Sequence, residues 1–298
     1  MKKVSLFLLL TVSLLVLSAA ALSEADPRYA LPLDIDFPCY EPNPACYTDN
    51  GYHDDSLDVR CERRTQEGVI YDIIWIEVKH PSQLRTLTAG APNELAIELA
   101  SKMSRYVHAV AAINGEFYLQ RDRDIYVWRQ GVIFRNAPDP MKDVLIIDSA
   151  GDFHIYTSEN KSEEIKSFIA NGGEIVNAFS FGPGLVVDGK KQKIRDNYFF
   201  NVGDRLPRTV IGQTGPLSYV FVVAEGKKLE SKGCSHQQMA DFMDTLGVQQ
   251  AYNLDGGQST VIMFHGNYFY KDYSKDMERE QSDIVFVTTA VDPKTWKK

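Results

Sequence analysis

Three short stretches of this chain carry residue types that could do chemistry. In AYNLDGGQST, Asp255 leaves an apolar run and is followed by Gly256, Gly257, Ser259 and Thr260. A carboxylate beside two residues without side chains can reach a ligand, and glycine N–H groups there can donate to an oxyanion or to sugar oxygens. An Asp-Gly turn joining AYNL to TVIMFHG would use the same residues. INGEFY places Asn114, Gly115 and Glu116 after the apolar run HAVAAIN, with Phe117 and Tyr118 next, aromatics that could wall a pocket or stack on a sugar. Asn-Gly is equally a hairpin signal. RTVIGQ opens a strand with Arg208, whose fork of donors suits a phosphate or carboxylate, and Thr209 stands ready to share that role. The plainer alternative is an exposed strand-end arginine.

Other catalytic signatures are missing. The chain has no GxSxG, no GxxxxGK[ST] and no HExxH. Its six histidines are scattered without ligand spacing, which argues against a zinc site and for surface or satisfied core histidines. AFSFGPGLVVDGK reads as a tight connection through Ser180, Gly182, Pro183 and Gly184. REQSDIVF brings Arg279, Ser282 and Asp283 to the start of a last strand, where a solvated strand end is the simplest expectation.

The elements that must hold these residues are mostly strands. SLDVRCER and VIYDIIWIEV are β-rich runs separated by TQEG, the mark of a hairpin with a four-residue loop. Further strands are expected at HAVAAIN, DIYVW, GVIF, DVLIID, DFHIY, EIVNAFSF, GLVVD, RTVIGQ, LSYVFVVAE, AYNL, TVIMFHG and DIVFVTTA. Three helices interrupt them. Leu95, Leu99 and Met103 recur at helical spacing over 93–106, and Ile165, Phe168 and Ile169 share a face in SEEIKSFIANGG. In SHQQMADFMDTLG, Ser235 and Gln238 form a capping box, Met239, Phe242, Met243 and Leu246 line one side, and Gly247 supplies the stop. That methionine stripe reads as core. Together these elements predict an α+β domain with a mixed, largely antiparallel β-sheet core flanked by about three helices.

Composition bounds the rest. With 298 residues, 44% hydrophobic and 11% aromatic, the chain can bury a sizeable core. Residues 1–23, with Lys2 and Lys3, an apolar run over 4–17 and small residues after it, read as a cleaved signal peptide, so a secreted or cell-envelope protein with no transmembrane span is expected. Residues 24–51, rich in proline, read as a linker or strap, 52–292 as one domain and 293–298 as a tail. A net charge of −8 without a basic run argues against nucleic acid as a partner. Among Cys39, Cys46, Cys61 and Cys234 three pairings are possible in an oxidising compartment. Cys39 with Cys46 closes the shortest loop, and Cys61, alternating with Leu57 and Val59, is as well read as a buried free thiol.

INGEFY, FSFGPGLVVDG, RTVIGQ, GCSHQQMADFMDTLG, AYNLDGGQST and SDIVF occur in an order that resembles the phosphodiester glycosidase family. That family includes an enzyme that uncovers mannose 6-phosphate by removing N-acetylglucosamine from a phosphodiester, and bacterial proteins labelled exopolysaccharide-related. The resemblance spans roughly residues 52–290. Asp255, Gly256, Gly257 and Ser259 match the family's Asp-Gly-Gly-Gly-Ser, with Gln258 in place of the third glycine, where a long amide could narrow the pocket. Asn114 and Gly115 match its Asn-Gly pair. Glu116 and Tyr118 stand where aspartate or glycine and a second phenylalanine are common, and the extra methylene moves the Glu116 carboxylate about 1.5 Å. Arg208 and Thr209 match without change.

The resemblance implies an exported hydrolase that cleaves the glycosidic bond of a sugar 1-phosphodiester, with a glycan or sugar phosphate as its partner. Breaking a bond between an anomeric carbon and a phosphate oxygen builds positive charge on the sugar and negative charge on the phosphate. Asp255 and Glu116 would serve the first, Arg208 the second, and the glycine N–H groups and Ser259 would orient hydroxyls. A carboxylate separation of about 5 to 5.5 Å would favour retention and about 6.5 to 9.5 Å inversion. No cofactor is required; a calcium or magnesium ion is only weakly supported, because nothing in the spacing demands one. Two rivals are a metal-dependent phosphodiesterase that breaks the P–O bond and a non-catalytic module that binds glycans through Phe117 and Tyr118.

Overall fold

Alternation sets the longest hairpin. In Leu57–Gln66 the side chains of Leu57, Val59 and Cys61 are buried while Asp58 and Arg60 are exposed, the period of a strand with one covered face. Its partner, Val69–Val78, is apolar on both faces and lies inside the sheet. Gln66 pairs with Val69, so the loop is the two residues Glu67 and Gly68, at φ 52° and 74°, rather than the four expected. Two consecutive left-handed residues match the right-handed twist of the strands, which a longer TQEG loop would not need to do.

The computed structural model describes residues 23–296 except 36, 38, 93, 117, 119–125, 138, 199–201, 227–229 and 272–277. The expected signal segment (save Ser23), Phe117, Lys297 and Lys298 therefore lie outside the described residues. The fold is α+β and mostly β, and every strand pairing described is antiparallel. A nine-stranded sheet has Val69–Val78, Ser218–Ala224, Arg208–Gly215 and Gln250–Asn253 at its centre. A second, of five strands, is centred on Ile175–Phe179; a third, also of five, on Ala111–Asn114 between Val261–Phe264 and Asp283–Val287. The main core lies where the three meet, with Ile74, Phe221 and Tyr252 from the first, Leu145 and Phe179 from the second, and Ile113, Ile262 and Val285 from the third.

Three helices are described: α1 (Ala100–Tyr106), α2 (Lys161–Ala170) and α3 (His236–Thr245). In α3 the expected capping box is present, and Met239, Phe242 and Met243 pack on the outer face of the large sheet against Val210, Val220 and Val222. Each such side chain contributes about 1.5–3 kcal/mol by leaving water. Helix α1 begins later than its periodicity predicts. Glu98–Leu99 pairs as a short strand with Glu280–Gln281, which takes the backbone groups a helix would use, and Leu95 is left 85% exposed. In α2, Ile165 is buried and Phe168 packs beside it, but Ile169 faces outward.

The proline-rich segment is a strap fastened to the third sheet. The buried Arg85 guanidinium donates from Nη1 to Pro32 O at 2.6 Å and from Nη2 to Asp34 O at 2.7 Å, and Leu31 N donates to Ser82 Oγ at 2.8 Å. Cys39 packs with Leu87, Ala100 and Met103. All four cysteines are free thiols, so the possible Cys39–Cys46 bridge is not formed, and the buried Cys61 is the free thiol its alternation suggested. No helix among the described residues is long and apolar enough to cross a membrane.

Candidate active site

Antiparallel pairing brings the candidate residues to one place. Arg208–Gly215 starts where Gln250–Asn253 ends, with Val210 opposite Asn253; Asp283–Val287 starts where Ala111–Asn114 ends, with Ile284 opposite Asn114. Neighbouring strands of opposite direction put the start of one beside the end of the next, so residues far apart in sequence meet at one edge. AYNL and TVIMF belong to different sheets, so DGGQ is a crossing between sheets and not a hairpin turn. Asn114 likewise ends a strand without a hairpin, because the chain leaves the sheet after it.

Asn114 joins the two sheets. Its Nδ2 donates to Gly115 O at 2.9 Å and Asp255 O at 2.8 Å, and its Oδ1 accepts from Thr209 Oγ1 at 2.8 Å and Val261 N at 3.1 Å. These four bonds satisfy a fully buried amide. Leu254 N adds a bond to Thr209 O at 2.8 Å and Asp255 N one to Gly115 O at 3.3 Å. The Thr209 hydroxyl thus serves the scaffold and not an anion.

The Asp255 carboxylate is held at both oxygens. Oδ1 accepts from Gly256 N at 3.0 Å and Oδ2 from Ser259 Oγ at 2.5 Å, while Ser259 Oγ accepts from Arg279 Nη1 at 3.0 Å. The relay Arg279 to Ser259 to Asp255 couples a cation to the acid through one hydroxyl. The two glycines do a different task from the one expected of them. Gly256 N serves Asp255, and Gly257 N donates to Pro207 O at 3.0 Å, so both amides are engaged within the chain. A Cβ on Gly256 would stand 2.7 Å from Pro207 O and 3.7 Å from Arg208 Cδ; the loop therefore lies directly against Arg208, and only glycine permits that approach. Gln258 is exposed on the short 3-10 turn Gly257–Ser259.

Arg208 is buried, and its donors include Nε to Cys234 O at 3.2 Å, Nη1 to His236 Nε2 at 3.0 Å and Nη2 to Asp204 O at 2.8 Å. The expected exposed strand end is absent.

Glu116 turns the other way, into the second sheet. Its Oε1 accepts from Arg129 Nη2 at 2.8 Å and its Oε2 from Ser180 N at 2.6 Å. Arg129 also grips Asp283 Oδ2, from Nε at 2.9 Å and Nη2 at 2.7 Å. All three residues are buried, and the guanidinium lies 4.0 Å from the Phe179 ring centre and 5.6 Å from that of Tyr118. Burial pushes the Glu116 carboxyl up to about 7 against the pull of Arg129. Asp283 is not the solvated strand end expected, because Arg129 supplies the charge that lets it be buried. Tyr118 is itself buried and covers that arginine.

Arg129 and His236 escaped the sequence reading. Arg129 follows DIYVW directly, and its partners lie 13 and 154 positions away. Two cavities, of about 200 Å³ between strap and α1 and about 140 Å³ beside Asp143 and Arg195, are lined by none of Asp255, Glu116 and Arg208. Among the described residues no group of three or more His, Cys, Asp or Glu side chains is placed to hold a metal ion.

Residues 108–288 match the family model of the phosphodiester glycosidases, a stretch that contains every candidate residue above. The chain belongs to the phosphodiester glycosidase family. Among solved structures, the catalytic domain of zebrafish N-acetylglucosamine-1-phosphodiester alpha-N-acetylglucosaminidase, auto-inhibited by its pro-peptide, superimposes with a TM-score of 0.60 at 17% identity, covering 84% of this chain and 86% of that one. A hypothetical protein from Synechocystis gives a TM-score of 0.61 at 14% identity, over 79% of this chain and 62% of its own. At such identities the likeness is one of fold. The prophage-derived uncharacterized protein YomE of Bacillus subtilis is 25% identical over 206 residues, 67% of this chain, and the chain spans only 30% of that protein's length.

In this member of the family Gly115 is a sensitive point, because a Cβ there would overlap the Asp283 carboxylate. Gly115→Ala should lower stability by about 1–3 kcal/mol through overpacking of the Arg129 cluster, read by urea denaturation. A variant as stable as the native protein would show that the cluster can move aside.

Proposed function

We propose that this chain is an exported hydrolase that cleaves the glycosidic bond of a sugar 1-phosphodiester, of N-acetylglucosamine or a related cell-envelope or exopolysaccharide glycan. The observation that carries the reading is the Asp255 carboxylate, fastened by Gly256 N and by Ser259 under Arg279, on a loop that lies against Arg208. The loop that carries the acid for the anomeric carbon thus packs on the stem of the arginine proposed to meet the phosphate. Family membership supports the same reaction class.

In the proposed reaction the bond from C1 to the phosphate oxygen breaks, and its electron pair leaves with the phosphate monoester. Asp255 stabilises the positive charge on the ring and Arg208 the charge on the departing group. Water supplies the new oxygen at C1 and its proton goes to solvent. A phosphate monoester leaves readily, so no strong general acid is needed. Glu116, its carboxylate bound to Arg129 and Ser180, acts indirectly, by holding the Asn114–Gly115 segment that bonds the Asp255 backbone. Export rests on the character of residues 1–23.

Hydrolysis in ¹⁸O-water tests the reading. Label in the released sugar is expected. Label in the phosphate would replace it with P–O cleavage by a phosphodiesterase, and tight binding of sugar phosphodiesters without turnover would replace it with a glycan-binding module.

A further inference from the structure

We propose that the cavity between the strap and α1 is a second binding site, which takes one uncharged sugar residue of a glycan. The choice of a sugar rests on the function proposed above; the cavity itself shares no residue with the Asp255 site.

The cavity measures about 200 Å³ and is closed by three separate elements: Glu41 and Tyr47 of the strap, Ser104, Arg105 and His108 at the end of α1, and His265 in the turn after Val261–Phe264. His265 N donates to Val110 O, so the cavity lies at the start of Ala111–Asn114, while Asp255 N bonds Gly115 O at that strand's other end. Four strand residues separate the two places by about 13 Å.

Ser104 carries the inference. It is 1% exposed, lines the cavity, and its Oγ has no hydrogen-bond partner among the described residues. An unmade bond of this kind costs stability, and alanine, the stronger helix former, would avoid it. Folding therefore gives no reason for the hydroxyl, whereas a ligand in the cavity does. Arg105 beside it is loosely held, by Nη1 to Gly266 O at 3.4 Å and Nη2 to Ser101 Oγ at 3.5 Å. Glu278, the acid that Ser101 also meets, is already engaged: it accepts from Ser101 N at 3.0 Å, Ser101 Oγ at 2.6 Å and Tyr268 Oη at 2.7 Å. His108 follows α1 at φ 53° and His265 begins its turn at φ 51°, positions that glycine or asparagine take at lower cost. Two imidazoles kept at left-handed positions around one cavity point to a use for the rings. The His265 ring stacks on Tyr47 with centroids 3.7 Å apart and planes 10° from parallel, a stiff flat wall.

The lining selects the ligand. Glu41 is its one acid and Arg105 its one guanidinium, so the charges balance and donors and acceptors stand together with the Ser104 hydroxyl. A sugar needs both, because each of its hydroxyls donates and accepts, and the C–H face of its ring suits an aromatic wall. An anionic ligand would meet Arg105 but also Glu41, which disfavours it. The volume is below the about 300–1,000 Å³ of pockets for larger ligands, so one ring fits and a longer segment does not. Holding one residue here would anchor a glycan on the same sheet that ends at the Asp255 loop.

The test titrates the full chain with N-acetylglucosamine and galactose as neutral probes and glucuronate as the charged one, by ligand-observed NMR, beside Ser104→Ala and Arg105→Met. At least one neutral sugar should bind more tightly than glucuronate. Ser104→Ala should weaken that sugar about three- to tenfold, with a melting temperature no lower than native, and Arg105→Met about tenfold. Turnover of a small sugar 1-phosphodiester should stay native in both variants, since neither residue belongs to the Asp255 site. No sugar binding in the native protein, unchanged affinity in either variant, or glucuronate binding as tightly as the neutral sugars overturns the proposal. Variant-sensitive binding in a protein without turnover would refute the hydrolase reading and leave this site standing; turnover with variant-insensitive binding would do the reverse.

Discussion

Asp255→Asn is expected to lower kcat on a sugar 1-phosphodiester by about 10³-fold while the melting temperature stays within a few degrees of native. The substitution keeps the shape of the side chain. Its carbonyl can still accept from Gly256 N, and the Ser259 hydroxyl can rotate to accept from the new amide, so the loop has no reason to open. The bonds from Asn114 Nδ2 to Asp255 O and from Asp255 N to Gly115 O are untouched. What disappears is the negative charge opposite the ring. Steady-state kinetics beside a thermal melt separate the two outcomes, and native-like turnover would remove Asp255 from the chemistry.

Arg129→Met should be the most destabilising single change in the site, about 3–5 kcal/mol by chemical denaturation. Its side chain fills similar space between Phe179 and Tyr118, but Glu116 and Asp283 would face each other in the interior without their shared cation. The pH dependence follows from the direction of the Glu116 shift. In the native protein that carboxyl rises from 4.5 to about 7, so the folded state holds a proton that the unfolded state releases, and this group's contribution falls as pH rises through that window. Without Arg129 the Glu116 carboxyl loses the charge that pulls it down and is pushed higher still. The loss should therefore be largest above pH 7 and shrink towards pH 5. The triple variant Arg129→Met, Glu116→Gln, Asp283→Asn should regain much of the stability, since removing all three charges leaves none uncompensated. A loss independent of pH and not recovered in the triple variant would mean that packing, and not charge, sets the importance of Arg129.

Glu116 shows where reading by residue type stops. Its place next to Asn114 and Gly115 was legible as part of a site, yet its carboxylate reaches Arg129 and Ser180 from other strands, partners 13 and 64 positions away. The same applies to the glycine amides of Gly256 and Gly257, which looked available and are engaged by Asp255 and Pro207. Thr209 was grouped with Arg208 by adjacency, but neighbours on a strand point to opposite faces, and only one of them could face a given ligand.

The sequence by itself determined what depends on neighbours a few positions apart. Strand alternation in Leu57–Gln66 and the capping box and apolar stripe of α3 follow from local sterics and from the period of side chains along an element. Tertiary structure alone decided which acid was paired, which histidine met Arg208 and where the cation for Asp283 came from. Those partners lie 13 to 154 positions apart, and what brings them together is the antiparallel register of separate sheets. A charge can be buried only where another element delivers its counterpart, and no short window of sequence contains both.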